Sequence, residues 1–268
     1  MTKQGRQDMQ EVKLRIDADR VAWITLARPE KHNAMSARMM TELVDAAAQV
    51  AADPSVRVVV LEAEGASFCA GGDLAWMRAQ FDMDRATRIR ESGRIAEALG
   101  ALYRLPQPLI GRVQGNAFGG GLGLISVCDV AVGVSEAKFG LTEVRLGLIP
   151  ANIGPYVVAR LGGRAAGQVF MNARIFTGSE AVALGLLNRA VAADELDAAI
   201  TAELRPYLDC APGAVADAKR LLRRLSGEVA QADVDMAIAA LADRWETEEA
   251  RAGIEAFFEK RDPPWRQG

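Results

Sequence analysis

The chain has 268 residues, of which 50% are hydrophobic, so it can bury a sizeable core, and its length suggests one large domain or one domain with an appendage. Its formal net charge is -3, and no cluster of Lys and Arg interleaves with aromatic residues, which excludes a typical nucleic-acid surface. No apolar run suits a signal peptide or a bilayer span, so we expect neither export nor a membrane partner.

Strands and helices alternate in the first half of the chain. Alternating apolar residues over Val12–Ile16 and Val21–Leu26 predict a β-hairpin with "DADR" as its turn. Ser36 is a good N-cap for a helix that "DP" ends at residues 53–54. The buried strand "RVVVLEAEG" and the loop "ASFCAGGD" follow, and helical periodicity resumes over residues 84–104.

A second glycine-rich loop follows the strand "LIGRV". The stretch "GNAFGGGLGLISVCD" starts at Gly115, "GLISVC" within it predicts a helix, and "VAVGV" predicts the next strand. The order strand, glycine loop, helix therefore occurs twice along the chain.

The last third is predicted to be helical. "ANIGPYVVARLG" has a helical pattern, Thr177 and Glu180 form a capping-box candidate, and three further helices are expected between about residues 194 and 260. With strands expected only in the first two thirds, the sequence predicts an α/β core over residues 1–205. A C-terminal helical region would follow over residues 206–268, with a boundary near Pro206.

The two glycine loops do not match phosphate-binding motifs. "GGGLG" lacks the third glycine of G-x-G-x-x-G, and no G-K-[ST] is present. Glycine-rich turns that only allow tight packing are one interpretation. However, "CAGGD" and "FGGGLG" each come between a strand and a helix, where unpaired backbone N–H groups point outwards. Two such donors that converge would form an oxyanion hole.

The titratable residues restrict the chemistry that such a hole could serve. His32 is the one histidine, which removes any His-containing triad or His-rich metal site, so an enolate is the anion to be stabilised. This chemistry needs a carboxylate base. Glu143 is the candidate, because burial in its mixed apolar segment would raise its pKa, although it could equally be a surface carboxylate paired with Arg145.

The cysteines bear on the cellular compartment. Cys69, Cys128 and Cys210 have no paired spacing, and one of them must stay unpaired in any intramolecular scheme. A reducing cytoplasm is therefore the expected location.

Six motifs, taken in order, resemble the enoyl-CoA hydratase/isomerase (crotonase) family. They are "ARPEKHNAMS", "SFCAGGDLAWM", "GNAFGGGLGLISVCDVAV", "AKFGLTEVRLGLIP", "TGSEAVALGLLNRAV" and "GIEAFFEKRDPPW". The resemblance implies an α/β fold, a crotonase-like spiral of ββα units, with a helical C-terminal region used in trimerisation. It also implies an acyl-CoA thioester substrate, a homotrimer or a homohexamer of two trimers, and no metal or redox cofactor, since coenzyme A is part of the substrate.

The resemblance assigns roles to individual residues. The N–H groups of Gly72 and Gly120 would hold the thioester oxygen, and Glu143 would be the catalytic acid or base. The residues expected to bind coenzyme A are Lys31, Ala34, Ala70, Phe257 and Lys260.

One position departs from the hydratases of the well-known type. Those enzymes have a second glutamate where this chain has Gly123, and a single base suits an isomerase. However, "GGGLGL" with "FGLTEVRLGLIPANIGPYV" most resembles bacterial methylglutaconyl-CoA hydratases and related enzymes of leucine and acyclic terpene breakdown, which share this glycine. We favour hydration of an enoyl-CoA that is branched or carboxylated, such as 3-methylglutaconyl-CoA. An isomerase and a non-catalytic acyl-CoA-binding or scaffold protein are the alternatives.

The acyl pocket is expected to include residues on both sides of the oxyanion hole. An arginine after "CAGGDLAWM" could pair with a distal carboxylate, although a solvated helix face explains these arginines too. Asn152 and Tyr156, in the segment that follows Glu143, could supply polar groups to the reaction. The full set is Trp76, Arg78, Arg85, Arg88, Gly123, Asn152 and Tyr156.

Overall fold

The computed structural model describes residues 9–266. Residues 1–8, part of the segment in which no signal peptide is expected, lie outside the described residues, as do 267–268. Within 9–266, no helix has the length and apolar character needed to cross a bilayer. All three cysteines are free, and the cytoplasmic location stays a prediction.

The described chain contains ten strands and ten α-helices, which confirms the predicted α/β class. The strands are β1 (Val12–Ile16), β2 (Val21–Leu26), β3 (Val58–Ala63), β4 (Ser67–Cys69), β5 (Leu109–Val113), β6 (Asn116–Phe118), β7 (Val130–Val134), β8 (Lys138–Gly140), β9 (Phe176–Thr177) and β10 (Arg189–Val191). The helices are α1 (Ala37–Ala52), α2 (Leu74–Ala79), α3 (Arg85–Tyr103), α4 (Gly120–Ser126), α5 (Gly154–Ala166), α6 (Gly178–Ala183), α7 (Leu196–Leu208), α8 (Pro212–Ser226), α9 (Gln231–Trp245) and α10 (Glu248–Phe258).

The larger sheet has six strands in the order β1-β2-β3-β5-β7-β10. Its first two strands form the predicted hairpin, with Val12 opposite Leu26. Asp17 closes the turn, because its carboxylate accepts hydrogen bonds from the backbone N–H of Val21 and from the indole N–H of Trp23. The remaining neighbours in this sheet are parallel.

The smaller sheet has four short strands in the order β4-β6-β8-β9. The first three are parallel to one another, and β9 is antiparallel to β8. Parallel strands have their carboxyl ends at the same edge of a sheet. The segments that follow β4, β6 and β8 are therefore brought together in space.

The C-terminal third differs from the prediction in two respects. Strands extend beyond the first two thirds, because β10 pairs with β7 in the larger sheet. Between residues 194 and 260 there are four helices, α7 to α10, rather than three. Three residues of β10 are too few for a clear period-2 pattern, which explains why the strand was missed. Pro206 lies inside α7, so a continuous helix crosses the predicted domain boundary.

The C-terminal helices make different contacts with the rest of the chain. Helix α7 buries Leu196, Ala199, Ile200 and Leu204 against the larger sheet. Helices α9 and α10 form a cluster with residues near Glu143: Leu148, Ala151, Leu241, Trp245, Ala250 and Ile254. The last two helices thus cover the part of the molecule that contains the predicted site.

Helix α8 is attached through polar contacts and has no buried residue. Lys219 Nζ lies 2.5 Å from Asp129 Oδ2, and the Arg223 guanidinium lies 3.7 Å from the centre of the Tyr103 ring. Leu221, Leu222 and Leu225 remain 58%, 65% and 77% exposed. We call these three leucines the α8 leucine face.

Candidate active site

Three short parallel strands position the groups expected to react. Strand β4 leads into the loop that contains Gly72, β6 leads into Gly120, and β8 leads into a 3-10 turn that begins at Glu143. Because β4, β6 and β8 are neighbours in one sheet, these three residues follow adjacent strand ends. The sequence predicted each residue separately, and the sheet brings them together.

The Gly72 amide is directed by a pairing with the segment before α1. Met35 donates its N–H to Gly71 O at 2.7 Å, and Asp73 donates its N–H to Met35 O at 3.1 Å. These two bonds make a parallel bridge between Met35 and Gly72. Neither bond uses the Gly72 N–H, which therefore points away from Met35 and stays available as a donor.

The Gly120 amide comes from the neighbouring strand end. Gly120 is the first residue of α4, so its N–H has no acceptor within the helix. The preceding Gly119 has a φ of +49°, and Gly71 in the first loop has a φ of +96°. A Cβ on Gly71 would lie 3.1 Å from Phe118 O and 3.7 Å from the Gly120 nitrogen. Only glycine allows this close approach of the two loops at that backbone conformation.

Glu143 lies beside these amides with its carboxyl group buried. A Cβ on Gly119 would lie 3.0 Å from Glu143 Oε1. The residue is partly exposed, but Oε2 is buried and accepts no hydrogen bond from any described residue, Arg145 included. Burial raises the pKa of Glu143 from 4.5 to about 7. The carboxyl group can therefore exchange a proton near neutral pH.

A cavity of about 520 Å³ joins the oxyanion loops to Glu143. Its wall is mostly apolar and combines the two loops with α2, α3 and the C-terminal helices. Its polar lining residues are Gln80, Ser92, Thr142, Glu143, Arg145 and Asn152, and its apolar ones include Trp76, Met77, Ile95, Leu148, Ile153, Leu241, Trp245 and Phe257. A thioester held by the two amides would place its acyl group against this wall.

A model of the enoyl-CoA hydratase/isomerase family matches residues 17–268. The chain belongs to the enoyl-CoA hydratase/isomerase family. The crotonyl-CoA hydratase of Syntrophomonas wolfei is 32% identical over 254 residues, which make up 91% of this chain and 93% of the relative.

Solved structures of the family have the same fold. An enoyl-CoA hydratase from Mycobacterium avium is 31% identical with a TM-score of 0.84, over 95% of this chain and 98% of the other. An enoyl-CoA hydratase from Shewanella pealeana is 36% identical with a TM-score of 0.79, over 97% of both chains. The predicted crotonase-like fold is thereby confirmed.

Of the five residues expected to bind coenzyme A, three come from the oxyanion loops or the segment bonded to them, and two come from the end of α10. Ala70 lines the cavity and donates its N–H to His32 O at 3.0 Å, which connects its loop to the segment of Lys31 and Ala34. Lys31 is exposed, whereas Ala34 is 9% exposed. Phe257 on α10 of the same chain lines the cavity, and Lys260 is exposed just beyond that helix.

The residues expected in the acyl pocket divide into two groups. Trp76 and Asn152 line the cavity. The three arginines bind elsewhere: Arg78 lies over the Phe258 ring, Arg85 pairs with Asp243, and Arg88 pairs with Glu246. Tyr156 is buried against Tyr103 and does not line the cavity.

Gly123, the position at which this chain departs from the two-glutamate members of the family, is closed by neighbouring side chains. A Cβ there would lie 2.6 Å from Ile153 Cγ2 and 3.0 Å from Leu99 Cδ1. Gly123 does not line the cavity. Ile153 thus occupies the space that a second glutamate would need.

Sequence reasoning missed two groups in or beside the site. Asp73 caps α2 by accepting the N–H of Ala75 and Trp76, and it pairs with Arg28 at 2.7 Å. Burial alone would raise the pKa of Asp73, but the hydrogen bond and charge of Arg28 hold it below its usual value. The aspartate of "AGGD" before an apolar run was an N-cap signal for this role. The second group, Gln80, gave no signal in the sequence.

Proposed function

We propose that this protein adds water to the α,β double bond of an enoyl-CoA thioester, with Glu143 as its one acid-base group. One observation carries the proposal: Glu143 Oε2 is buried and accepts no hydrogen bond from any described residue, and the same carboxyl group lies beside Gly119, the residue before Gly120. The names of the relatives from Syntrophomonas wolfei and Mycobacterium avium, both hydratases, support the same reaction.

The reaction balances with a single carboxylate. The N–H groups of Gly72 and Gly120 bind the thioester oxygen, where negative charge develops. Glu143 as carboxylate takes a proton from water while the water oxygen bonds to C3, and the electrons of the double bond move toward the thioester oxygen. Glu143 as acid then returns that proton to C2. The product is a 3-hydroxyacyl-CoA that has gained one water.

Asn152 is the polar group that we propose to orient the attacking water. It lines the cavity, is 8% exposed, and its Oδ1 has no hydrogen-bond partner among the described residues. Its neighbour Ile153 fills the space at Gly123. An acceptor at Asn152 thus supplies one hydrogen bond that a second carboxylate would otherwise make.

The coenzyme A portion would extend outward from Ala70 along the segment of Lys31 and Ala34. The exposed Lys31 and Lys260 suit the phosphates of the coenzyme, since ammonium groups bind phosphate strongly. Phe257 is 48% exposed at the cavity wall and is proposed to cover the pantetheine.

The acyl group predicted from the sequence is branched and carboxylated. Arg78, Arg85 and Arg88 do not line the cavity, so we propose no role for them in binding that carboxylate. Arg145 is the cationic residue among the lining residues, and it is exposed. A carboxylate on the substrate would pair with Arg145 near the cavity mouth.

Isomerisation is the second candidate, and the closed space at Gly123 favours it, because one carboxylate suffices to move a proton between carbons. The purified protein should be incubated with crotonyl-CoA, 3-methylglutaconyl-CoA and a 3-enoyl-CoA. Gain of one water mass with loss of the conjugated thioester absorbance supports hydration. Double-bond migration at constant mass supports the isomerase, and tight binding without turnover would overturn both.

The oligomer is also a proposal. The α8 leucine face projects from a helix that has no buried residue, and such exposed apolar surface is typical of subunit interfaces. We propose that it contacts other copies of this chain in a trimer or a hexamer.

A further inference from the structure

The side-chain amide of Gln80 is a buried polar group that the reaction does not use. Gln80 is 1% exposed, and neither Nε2 nor Oε1 has a hydrogen-bond partner among the residues that the structure describes. It lines the same cavity as Glu143. An unpaired buried amide is destabilising, so a ligand group that pairs with it would be favoured at this point.

Gln80 lies beyond the reacting carbons of a bound substrate. Helix α2 begins next to Gly72 and ends at Ala79, so at 1.5 Å per residue Gln80 is roughly 10 Å along the axis from the oxyanion hole. The side chains that adjoin it at this end come from α3 and the C-terminal helices. Phe81 contacts Trp245 with ring centres 5.4 Å apart, and Arg88 connects Gln80 to Glu246.

The backbone of Gln80 is held in place. Arg88 donates from Nε to Gln80 O at 2.8 Å, while its Nη1 pairs with Glu246. Gln80 also donates its own N–H to the last turn of α2. The side-chain amide therefore extends from a fixed backbone position, which suits a group that selects a ligand.

The surroundings favour an uncharged partner. The Arg88 guanidinium is already paired, and Arg145, the cation among the lining residues, is exposed. A carboxylate would use the Nε2 donor but leave Oε1 unpaired beside an anion. A hydroxyl group can accept from Nε2 and donate to Oε1, so it satisfies both atoms.

We propose that Gln80 binds a hydroxyl group on the acyl chain, beyond the α,β double bond, and so selects oxygenated enoyl-CoA substrates. This inference rests on the proposed function for its substrate class, and its test includes a binding measurement that does not require hydration.

The test uses three thioesters that differ only at C5: 3-methylpent-2-enoyl-CoA, its 5-hydroxy derivative, and 3-methylglutaconyl-CoA. The wild-type protein should show at least a tenfold higher kcat/KM for the hydroxylated compound than for the unsubstituted one. Gln80→Met, which keeps the size of the side chain, should bring this ratio close to one. Dissociation constants of the saturated analogues, measured by calorimetry, should show the same tenfold preference in the wild type. Gln80→Met should lose that preference.

Two further measurements separate selectivity from folding. Gln80→Met should melt at a temperature equal to or above that of the wild type, since the variant removes an unpaired buried amide. A lower melting temperature would show that the amide serves the fold and would overturn the proposal. So would a hydroxyl preference that Gln80→Met leaves unchanged, or a carboxylate preferred over the hydroxyl. Gln49→Met is the matched control, because Gln49 is exposed on α1 and does not line the cavity; it should leave the preference for the hydroxylated compound unchanged. If hydration fails with every thioester while the binding preference holds, the proposed function fails and the role of Gln80 stands.

Discussion

The raised pKa of Glu143 makes a quantitative prediction for the dependence of activity on pH. A carboxylate must be present to take the first proton, and burial sets the pKa of Glu143 at about 7. Below that value the ionised fraction falls tenfold per pH unit, so at about pH 5 roughly 1% of the free enzyme is competent. We expect kcat/KM to reach a plateau above about pH 8 and to be about a hundredfold lower at about pH 5.

Glu143→Gln tests the same assignment by removing the ionisable group while keeping its shape. The variant should lose a factor of about 100 to 10,000 in kcat, the typical contribution of a positioned acid-base group. Glu136→Gln is the matched control, because Glu136 is exposed two residues before β8 and does not line the cavity. Initial rates with crotonyl-CoA from about pH 5 to 9 would be followed by loss of thioester absorbance.

Folding stability gives an independent readout. Glu143 has a pKa of 4.5 as its ordinary value and about 7 in the folded protein, so its ionisation opposes folding as the pH rises through this window. At about 1.4 kcal/mol per pH unit, the difference corresponds to about 3 kcal/mol above pH 7. Glu143→Gln should therefore be more stable than the wild type at about pH 8, and equally stable at about pH 4. A flat rate profile between pH 5 and 9, or equal stability at both values, would refute the reasoning.

Three further predictions concern other parts of the fold. Gly123→Glu should lower the melting temperature rather than create a two-carboxylate site, because the new side chain would clash with Ile153. A gain in hydration activity without loss of stability would contradict this. Glu42→Ala should lower the free energy of unfolding in urea by about 2–4 kcal/mol, because this buried carboxylate accepts three backbone N–H groups at the start of β1. Glu30→Ala, at an exposed position, is its control. Leu222→Asp with Leu225→Asp should reduce the mass measured by light scattering to that of a monomer, and an unchanged mass would exclude the α8 leucine face as an interface.

Local patterns were sufficient to predict the strand, loop and helix order that carries the two amides. The "CAGGD" and "FGGGLG" loops and the position of Glu143 all follow from residues close together in the sequence. What brings them together is the parallel pairing of β4, β6 and β8, and each of these strands has only three residues. Strands so short contain little period-2 signal, so the geometry of the site required the structure.

Side-chain partners were harder to predict than elements. Arg78, Arg85 and Arg88 were candidates for a carboxylate because of their position after "AGGD", yet their partners are Phe258, Asp243 and Glu246, more than 150 residues away in the sequence. Gln80 was not predicted because its unpaired amide depends on what surrounds it. Whether a polar side chain is buried and finds a hydrogen-bond partner depends on residues distant in the sequence, so local sequence patterns do not predict it.

The pairing of Met35 with Gly72 gives one short stretch of backbone two structural roles. The same two hydrogen bonds that orient the Gly72 N–H also attach its loop to the segment that follows Lys31 and Ala34. In the proposed binding mode, a coenzyme A nucleotide that contacts this segment would also stabilise the position of the Gly72 N–H. Binding energy from the coenzyme A portion, far from the double bond, would then contribute to turnover as well as to affinity.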